Sequence, residues 1–363
     1  MRSRIVMLVD FDYFFAQCEE RRNPSLKDRP VVVCVYSGRT EDSGAVSTAN
    51  YVARKYGVKS GMPIFLAKRK LAEVDAVFLS VDRLFYEEVS NNIMSILRHY
   101  ADSFEQVGID EAYLDVTERV NGSFEEAGKL AQRIMDEVKL REKITVSIGV
   151  GPNKLVAKIA AGFRKPNGLT VVTPQQTQSF LAPLPVDRLL GVGKKTSEKM
   201  ETLGIKTIGD LSRFDVQKLI ATFGQTLGTY FHYAALGEDD SPVLEKGKAQ
   251  SMSRISTLKE DTRDIATIMR SVGALCEDIY TSLKQKGLEF KTVSAIAVLK
   301  DMNVRSRSKT FESPVSHLEL FRKSVEELFQ RLIGETNLEI RRAGVKVSGF
   351  SEKPEKQRRL TDF

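Results

Sequence analysis

Cysteine is scarce in this sequence, and its three copies are scattered. Cys18, Cys34 and Cys276 form no CxxC pair and leave an odd count, which excludes a zinc site and a disulfide framework and points to reduced, intracellular thiols. No apolar run approaches the ~18 residues needed to cross a bilayer. Arg2 and Arg4 precede "IVMLV", but five apolar residues are too few for the core of an export signal. A cytoplasmic chain with no membrane partner is therefore expected. No glycine-rich P-loop occurs either, which excludes the nucleotide-binding classes built on one.

What the sequence does have is length, apolar pattern and unevenly placed charge. Its 363 residues, 42% hydrophobic and 28% charged, are too many for one ordinary globular core, so about two to four domains are expected. Residues 1–172 carry a net charge of +2, residues 173–240 a net of −1, and residues 241–363 a net of +6 out of the chain's +7. A basic last third favours a polyanionic partner, nucleic acid or an anionic membrane surface; ordinary solubility charge is the third possibility.

Residues 5–10 read as a buried strand, and "RPVVVCVYS", 29–37, as another. The stretch "GRTEDSGAVSTAN", 38–50, is small, polar and glycine-rich and reads as loop or turn; "YVARKYGV" reads as a helix ending at Gly57. Helices are expected over Leu84–His99, Phe124–Leu140 and "NKLVAKIAAGF". Two short strands around a turn are expected in "FEQVGIDEAYLDVT", and single strands in "ITVSIGVG" and "GLTVV". With 23–80 set aside as an insertion, the order is βα, ββ, α, β. That is an α+β unit with helices on one face of a mainly antiparallel sheet.

Residues 173–240 are helical in pattern, and "LLGVGKKTSEKMETLGI" reads as helix, Gly-hydrophobic-Gly turn, helix. In a helix-hairpin-helix the amides around Gly191 and Gly193 face a phosphate, with Lys194 and Lys195 beside them; an ordinary αα-hairpin has the same pattern. After a polar tether, "EKGKAQS" at 245–251, the order becomes βαββαβ, a ferredoxin-like unit. Its third strand, "RSRSKTF", puts Arg305, Arg307 and Lys309 on one face about 7 Å apart, which suits a row of phosphates; a charged edge strand is the alternative.

Asp10 ends the first strand, and "GIDEAYLD" supplies Asp110 and Glu111. Adjacent side chains on a regular strand point to opposite faces, so that pair shares a target only at a turn, which the flanking apolar alternation places there. If both strands flank the first, three carboxylates gather at one sheet end. Like charges that close raise one another's pKa, and a bound divalent cation removes the cost. With no His or Cys nearby, an all-oxygen set suits Mg²⁺, or Mn²⁺ in its place, rather than zinc. Two such ions about 4 Å apart are the standard arrangement for in-line attack on a phosphate. Surface acids at a turn are the plain alternative. Tyr51 and Arg54, three apart on one helical face, with Lys55 and with Lys165 in "RKPNG", offer hydroxyl and cationic groups to a triphosphate.

At this point the segments "VDFDYFFAQCEE", "SGAVSTANYVARKYGV", "GIDEAYLDVT", "VGPNKLVAKIA" and "KPNG" resemble the Y-family DNA polymerases, nearest the archaeal DinB-like lesion-bypass group, collinearly over about residues 4–350. The resemblance implies an α+β multidomain right hand. The palm, with antiparallel sheet and helices, would be 1–22 and 81–172, the small fingers 23–80, and the helical thumb with its helix-hairpin-helix 173–240. A linker at 241–250, a ferredoxin-like little finger at 251–350 and a tail at 351–363 would follow. The implied activity is low-fidelity, template-directed DNA synthesis past damaged bases, from dNTPs with release of pyrophosphate, by a monomer on primer–template DNA.

The resemblance also implies roles for single residues. Asp10, Asp110 and Glu111 would be the catalytic carboxylates binding two Mg²⁺ ions, with the main-chain carbonyl of Phe11 as a further ligand. Tyr51, Arg54 and Lys165, assisted by Thr48, would hold the triphosphate, and the amides of Tyr13 and Phe14 would touch it. Phe15 would be the steric gate against a ribose 2′-OH. Asp12 matches no metal ligand of the family and is left structural. The loop over the nascent base pair would be "SGAVS", 43–47, whose small side chains cannot press on a misshapen pair. No second carboxylate cluster for an exonuclease is evident, so proofreading is not expected. In the tail, Gln357, Leu360 and Phe363 have a spacing that resembles the peptide docking on a sliding clamp, although the family pattern has a second aromatic next; a bare basic tail is the alternative. A non-catalytic DNA-binding protein with a vestigial palm is opposed by the complete carboxylate and triphosphate set. A palm-fold nucleotide cyclase or other nucleotidyltransferase would need neither the hairpin motif nor the basic last domain.

Overall fold

The computed structural model describes residues 4–245, 247 and 249–352. In chain order the elements are β1 (Val6–Phe11), α1 (Phe14–Arg22), β2 (Val31–Tyr36), β3 (Gly44–Ala49), α2 (Tyr51–Lys55), α3 (Ile64–Lys70), β4 (Val77–Ser80), α4 (Arg83–His99), β5 (Ser103–Gln106), β6 (Glu111–Asp115), α5 (Phe124–Glu142), β7 (Val146–Gly151), α6 (Lys154–Ala161) and β8 (Leu169–Val171). There follow α7 (Thr177–Leu181), α8 (Lys194–Glu201), α9 (Ile208–Ser212), α10 (Val216–Phe223), α11 (Gln225–Ala235), β9 (Ser251–Thr262), α12 (Ile265–Gln285), β10 (Leu288–Leu299), β11 (Val304–Val315), α13 (Leu318–Gly334) and β12 (Ile340–Glu352). They divide into two compact units, one built on residues 4–34, 46–62 and 66–245, the other on 35–45, 63–65 and 249–352.

The first unit is organised by a five-stranded sheet in the order β5-β6-β1-β7-β8, antiparallel except for the parallel pair β7–β8. β1 is apolar without alternation, and both of its faces are covered. Met7, Val9 and Phe11 enter the core with Tyr86, Ile93 and Leu97 of α4 and Leu130 and Ile134 of α5. Val6 and Leu8 pack on Ala157 and Ala161 of α6. Helices therefore lie on both faces of the sheet rather than one, because an unbroken apolar strand needs cover on each side. Asp82, Ser123 and Asn153 start α4, α5 and α6, each side-chain oxygen accepting the backbone N–H of the third helical residue.

α6 approaches β7 closely. A Cβ on Gly149 would lie 2.1 Å from the Ala157 carbonyl oxygen, so only glycine permits the contact. The other side of α6 supplies Leu155, Val156 and Ala160 to a second core with Leu181, Met200, Leu211 and Phe231 of α7–α11.

Two sequence expectations are corrected here. The stretch read as loop at 38–50 contains β3, part of a small sheet in the order β3-β2-β4. Only Val46 and Ala49 of β3 are buried, so no apolar alternation announced it. The first arm expected for the helix-hairpin-helix is a single 3₁₀ turn at Val186–Arg188. Pro185 bridges to Thr207 and the Val186 N–H donates to the Lys206 carbonyl at 3.0 Å, which draws the chain into a ladder instead of a helix.

The second unit is the expected βαββαβ arrangement, with an antiparallel sheet in the order β11-β10-β12-β9. Alternate residues of β10 and β12, among them Val293, Ala295, Val345 and Val347, join Ile268, Val272, Phe321 and Phe329 of α12 and α13 in one core. The clamp-peptide reading of Gln357, Leu360 and Phe363 lies outside the described residues. No described helix is long and apolar enough to cross a membrane.

Two glycines test this packing in opposite directions. Gly149→Ala should destabilise the first unit by about 3 kcal/mol or more, because the new methyl meets the backbone of α6. Gly273→Ala, inside α12 with only the end of the Arg322 side chain as near as 4.0 Å, should stabilise the second by about 0.5–1 kcal/mol. Thermal and denaturant unfolding of the two variants check both signs.

Candidate active site

The β1–β6 register sets Asp10 directly opposite Glu111. Opposed residues of an antiparallel pair project on the same face with Cβ atoms roughly 5 Å apart, so both carboxylates enter one cleft. The N–H of Phe11 donates to the carbonyl of Asp110 at 2.8 Å, which folds the turn before β6 back onto the end of β1. The cleft encloses about 660 Å³, and Asp10, Glu111, Lys158, Lys165, Tyr113 and Lys154 are among its walls.

Cations meet these acids. Lys165 Nζ contacts Asp10, Lys158 Nζ lies 2.6 Å from Glu111, and Lys154 Nζ lies 2.7 Å from Glu105. Lys154 and Lys158, four apart on α6, share one helical face. Neither was picked out from the sequence, although their spacing in "NKLVAKIA" is the signal that could have found them. Asp110, at the turn before β6, is solvent-exposed and not part of the cleft wall, yet desolvation by the surrounding protein holds its carboxyl above the ordinary range, and repulsion from Asp10 and Glu111 adds to this. As the side chains stand, no group of three or more acidic, His or Cys residues among the described residues is spaced to hold a metal. The donor chemistry fits a hard divalent ion all the same: it is all oxygen, and two of its carboxylates already draw a positive group each.

The corner after β1 is the second part of the site. Tyr13 has left-handed backbone angles, φ 35° and ψ 45°, and stands before α1 with no side chain capping that helix. Its free first-turn N–H groups and positive dipole end suit an anion. Phe14 is buried in the core, while Phe15 keeps one side open. The ring of Phe15 stacks on Tyr86 at 4.5 Å with an angle of 18°. Tyr86 is itself fixed, buried and donating its hydroxyl to Glu19 at 2.6 Å. Tyr86 lies on the apolar face of α4, where the sequence gives it no mark beyond that of a core residue.

Tyr51 sits edge-on to Tyr13 at 5.2 Å, and the Arg54 guanidinium lies 4.8 Å above the Tyr51 ring. Arg54 Nε donates to the Ala49 carbonyl at 2.8 Å. The Tyr51 hydroxyl is held above its ordinary pKa, first by burial and then by the nearby charge of Asp12 and, more weakly, Asp10. Tyr13, Tyr51 and Arg54 thus form one group beside the carboxylates, with Thr48 half-buried on β3. Buried Asn50 holds this group in place: its Oδ1 accepts from the N–H of Ala53 at 2.9 Å and of Val31 at 3.1 Å, and its Nδ2 donates to Glu20 and to the Arg29 carbonyl. Lys165 is not with the Tyr51–Arg54 group but on Asp10.

The expected phosphate contacts are placed as follows. Val192 is buried, while Gly191, Gly193, Lys194 and Lys195 are exposed at the start of α8, which no side chain caps. Arg305, Arg307 and Lys309 share a face of β11, but the register opposes them to Ala297, Ala295 and Val293, the face that α12 and α13 cover. Arg307 pairs with Glu335 and Lys309 with Glu327 of α13, while Arg305 donates to the Glu335 carbonyl. The uncovered face carries Ser306, Ser308 and Thr310, the last two hydrogen-bonded to Ser294 and Thr292, together with Arg342 and Lys346 of β12.

Family models match three stretches: the impB/mucB/samB family over residues 9–162, the DNA polymerase-iota thumb domain over 187–239, and the impB/mucB/samB family C-terminal domain over 249–361. The chain is 44% identical to a DNA polymerase IV of Nitrosopumilus maritimus and 43% identical to DNA polymerase IV 1 of Methanosarcina mazei, each time over 100% of both chains. It matches the solved Y-family DNA polymerase chimera Dbh-Dpo4(243-245)-Dbh with a TM-score of 0.89 at 39% identity, over 95% of this chain and 98% of that one. An insertion ternary complex of Dbh DNA polymerase matches with a TM-score of 0.69 at the same identity and coverage. The chain belongs to the Y-family of DNA polymerases and is a template-directed, lesion-bypass DNA polymerase.

Proposed function

We propose that Asp10, Asp110 and Glu111 form the centre at which a dNTP is joined to a primer 3′ hydroxyl on template DNA. The palm in this reading is 1–22 and 81–172, with fingers at 23–80, thumb at 173–240, linker at 241–250 and little finger at 251–350. The observation that supports it most is the pairing of Asp10 with Glu111 across β1 and β6, with an uncapped helix N-terminus beginning at Phe14. A solved relative described as an insertion ternary complex supports DNA and dNTP as the partners.

The three carboxylates and the Phe11 carbonyl would hold two Mg²⁺ ions, with Mn²⁺ able to stand in. Ions held there would supply a lower pKa at the attacking hydroxyl and charge neutralisation at the leaving pyrophosphate. The amides of Tyr13 and Phe14, the Tyr51 hydroxyl, the Arg54 fork and Lys165 bind and orient the triphosphate, with Thr48 assisting. For Lys165 this means exchanging one anion, Asp10, for another. Phe15 closes the space a ribose 2′-OH would fill, and Tyr86 behind it keeps the ring from yielding.

DNA phosphates would meet the Gly191–Gly193 turn with Lys194 and Lys195, and the C-terminal sheet. Of that sheet's two faces the uncovered one is favoured, because Arg307 and Lys309 already have carboxylate partners. The tail residues Gln357, Leu360 and Phe363 are proposed to dock a sliding clamp, and the chain is proposed to act as a cytoplasmic monomer.

Asp110→Ala should cut Mg²⁺-dependent primer extension by at least about 10³-fold while primer–template affinity survives; retained extension in a primer assay would remove Asp110 from the centre. Phe15→Ala should raise ribonucleotide incorporation relative to deoxynucleotide by about 10²-fold, and unchanged sugar selectivity would end its role as gate. Replacing Arg342 and Lys346 together should flatten the salt dependence of DNA binding by about 0.9 per lost phosphate contact. Replacing Arg305, Arg307 and Lys309 should change it less, and the opposite ranking returns the contact to β11.

A further inference from the structure

Asp12 is fully buried, and its carboxylate is met by two hydroxyls and a backbone amide. Its Oδ1 accepts from Ser147 Oγ at 2.7 Å, and its Oδ2 accepts from Thr145 Oγ1 at 3.0 Å and from the backbone N–H of Asn167 at 2.7 Å. Its main chain is held as well. The N–H donates to the Thr145 carbonyl at 3.2 Å, and the carbonyl accepts from Gln17 Nε2 at 2.6 Å. One carboxylate thus ties together the end of β1, the start of β7 and the loop between α6 and β8.

Several features fix that loop at 167 and 168. Asn167 has a φ of 51°, in the left-handed region that asparagine tolerates. A Cβ on Gly168 would fall 1.8 Å from the Arg164 carbonyl oxygen. The Gly168 carbonyl accepts from Ile148 N–H at 2.8 Å, and its N–H donates to Ser147 Oγ at 3.3 Å. Lys165 stands two positions before Asn167, and its ammonium reaches Asp10. Holding Asn167 therefore anchors the backbone from which that ammonium extends.

We propose that Asp12 is a positioning residue for Lys165, clamping the Asn167 amide so that the ammonium is delivered to the Asp10 end of the cleft where the triphosphate arrives. This rests on the reading of Lys165 as a triphosphate ligand. The clamp needs hydrogen-bond acceptors, not net charge. Asparagine at position 12 can still accept the Asn167 N–H on its oxygen and donate its amide to a hydroxyl that turns to accept. Alanine leaves the partly buried Asn167 N–H without its acceptor, and the loop relieves this by moving.

The test compares Asp12→Ala, Asp12→Asn, Lys165→Ala and the double variant Asp12→Ala/Lys165→Ala. Single-nucleotide extension gives KM for dNTP and kcat, fluorescence anisotropy gives DNA affinity, and hydrogen exchange follows the Asn167 amide. Asp12→Ala should raise KM for dNTP about 10-fold with DNA affinity unchanged, and the double variant should be no worse than Lys165→Ala. Asp12→Asn should stay within about 3-fold of the parent. Faster exchange at Asn167 in Asp12→Ala but not in Asp12→Asn is expected; unaltered protection in Asp12→Ala overturns the clamp whatever Lys165 does. An unchanged KM, or full additivity in the double variant, overturns it too. If Lys165→Ala itself leaves KM alone while Asn167 loses protection in Asp12→Ala, the triphosphate reading fails, and with it the proposed delivery. Should Asp12→Ala not fold, Thr145→Val with Ser147→Ala removes both hydroxyls that seat the carboxylate. It should raise KM about 3-fold, and no change there counts against the proposal.

Discussion

Everything in the site depends on the register of one strand. In a strand with one buried face, a slip of one residue moves apolar side chains into water, and that penalty fixes the register. β1 has no such safeguard, because Val6 and Leu8 are as buried as Met7 and Val9. Its acids supply the penalty instead. Asp10 opens to the cleft and Asp12 is enclosed by the Thr145 and Ser147 hydroxyls. Displacing either by one position would put an unpaired carboxylate into a hydrocarbon core. The polar end of the strand thus sets the alignment of its apolar part, and that alignment brings Asp10 level with Glu111.

Much of this was legible in the sequence, for identifiable reasons. Long amphipathic helices such as α4 and α5 and the βαββαβ order of the second unit follow from period and length. The convergence of Asp10 with Glu111 followed from a turn signal and the supposition that β6 lies beside β1. What was not legible is what needs three dimensions. β3 has small residues and little burial, so nothing marked it. Helices on both faces of the first sheet were implicit in the unbroken run "IVMLV", but a run of that kind does not say which helix covers which side. Tyr86 behind Phe15 and Lys158 on Glu111 are separated in sequence by tens of residues from the groups they support, and Asn50, although next to Tyr51, is held by distant Glu20 and Arg29.

The C-terminal sheet shows the limit of strand periodicity. Period two correctly sorted Arg305, Arg307 and Lys309 onto one face and the serines onto the other. It could not say which face the helices would take. The conspicuous cations lie on the helix side and are met by Glu327 of α13 and by Glu335 just beyond it, whereas the open side is a field of hydroxyls with Lys346 and Arg342 rising from it. Charge that stands out in a sequence is often already neutralised in the fold, and a surface of small hydroxyls lets a polyanion approach closely.

The glycine seam between β7 and α6 has a consequence for how this chain can change over generations. α6 is pressed to the sheet on one side, where Gly149 leaves no space for even a methyl, and is gripped on the other by the core of α7–α11. Its exposed edge bears the lysines that balance Glu111 and Glu105. A drift in volume in either core therefore cannot be absorbed by a small rotation of the helix without moving the lysines that face Glu111 and Glu105. The two cores are bound to evolve in step, with α6 as the surface on which each records the other's substitutions.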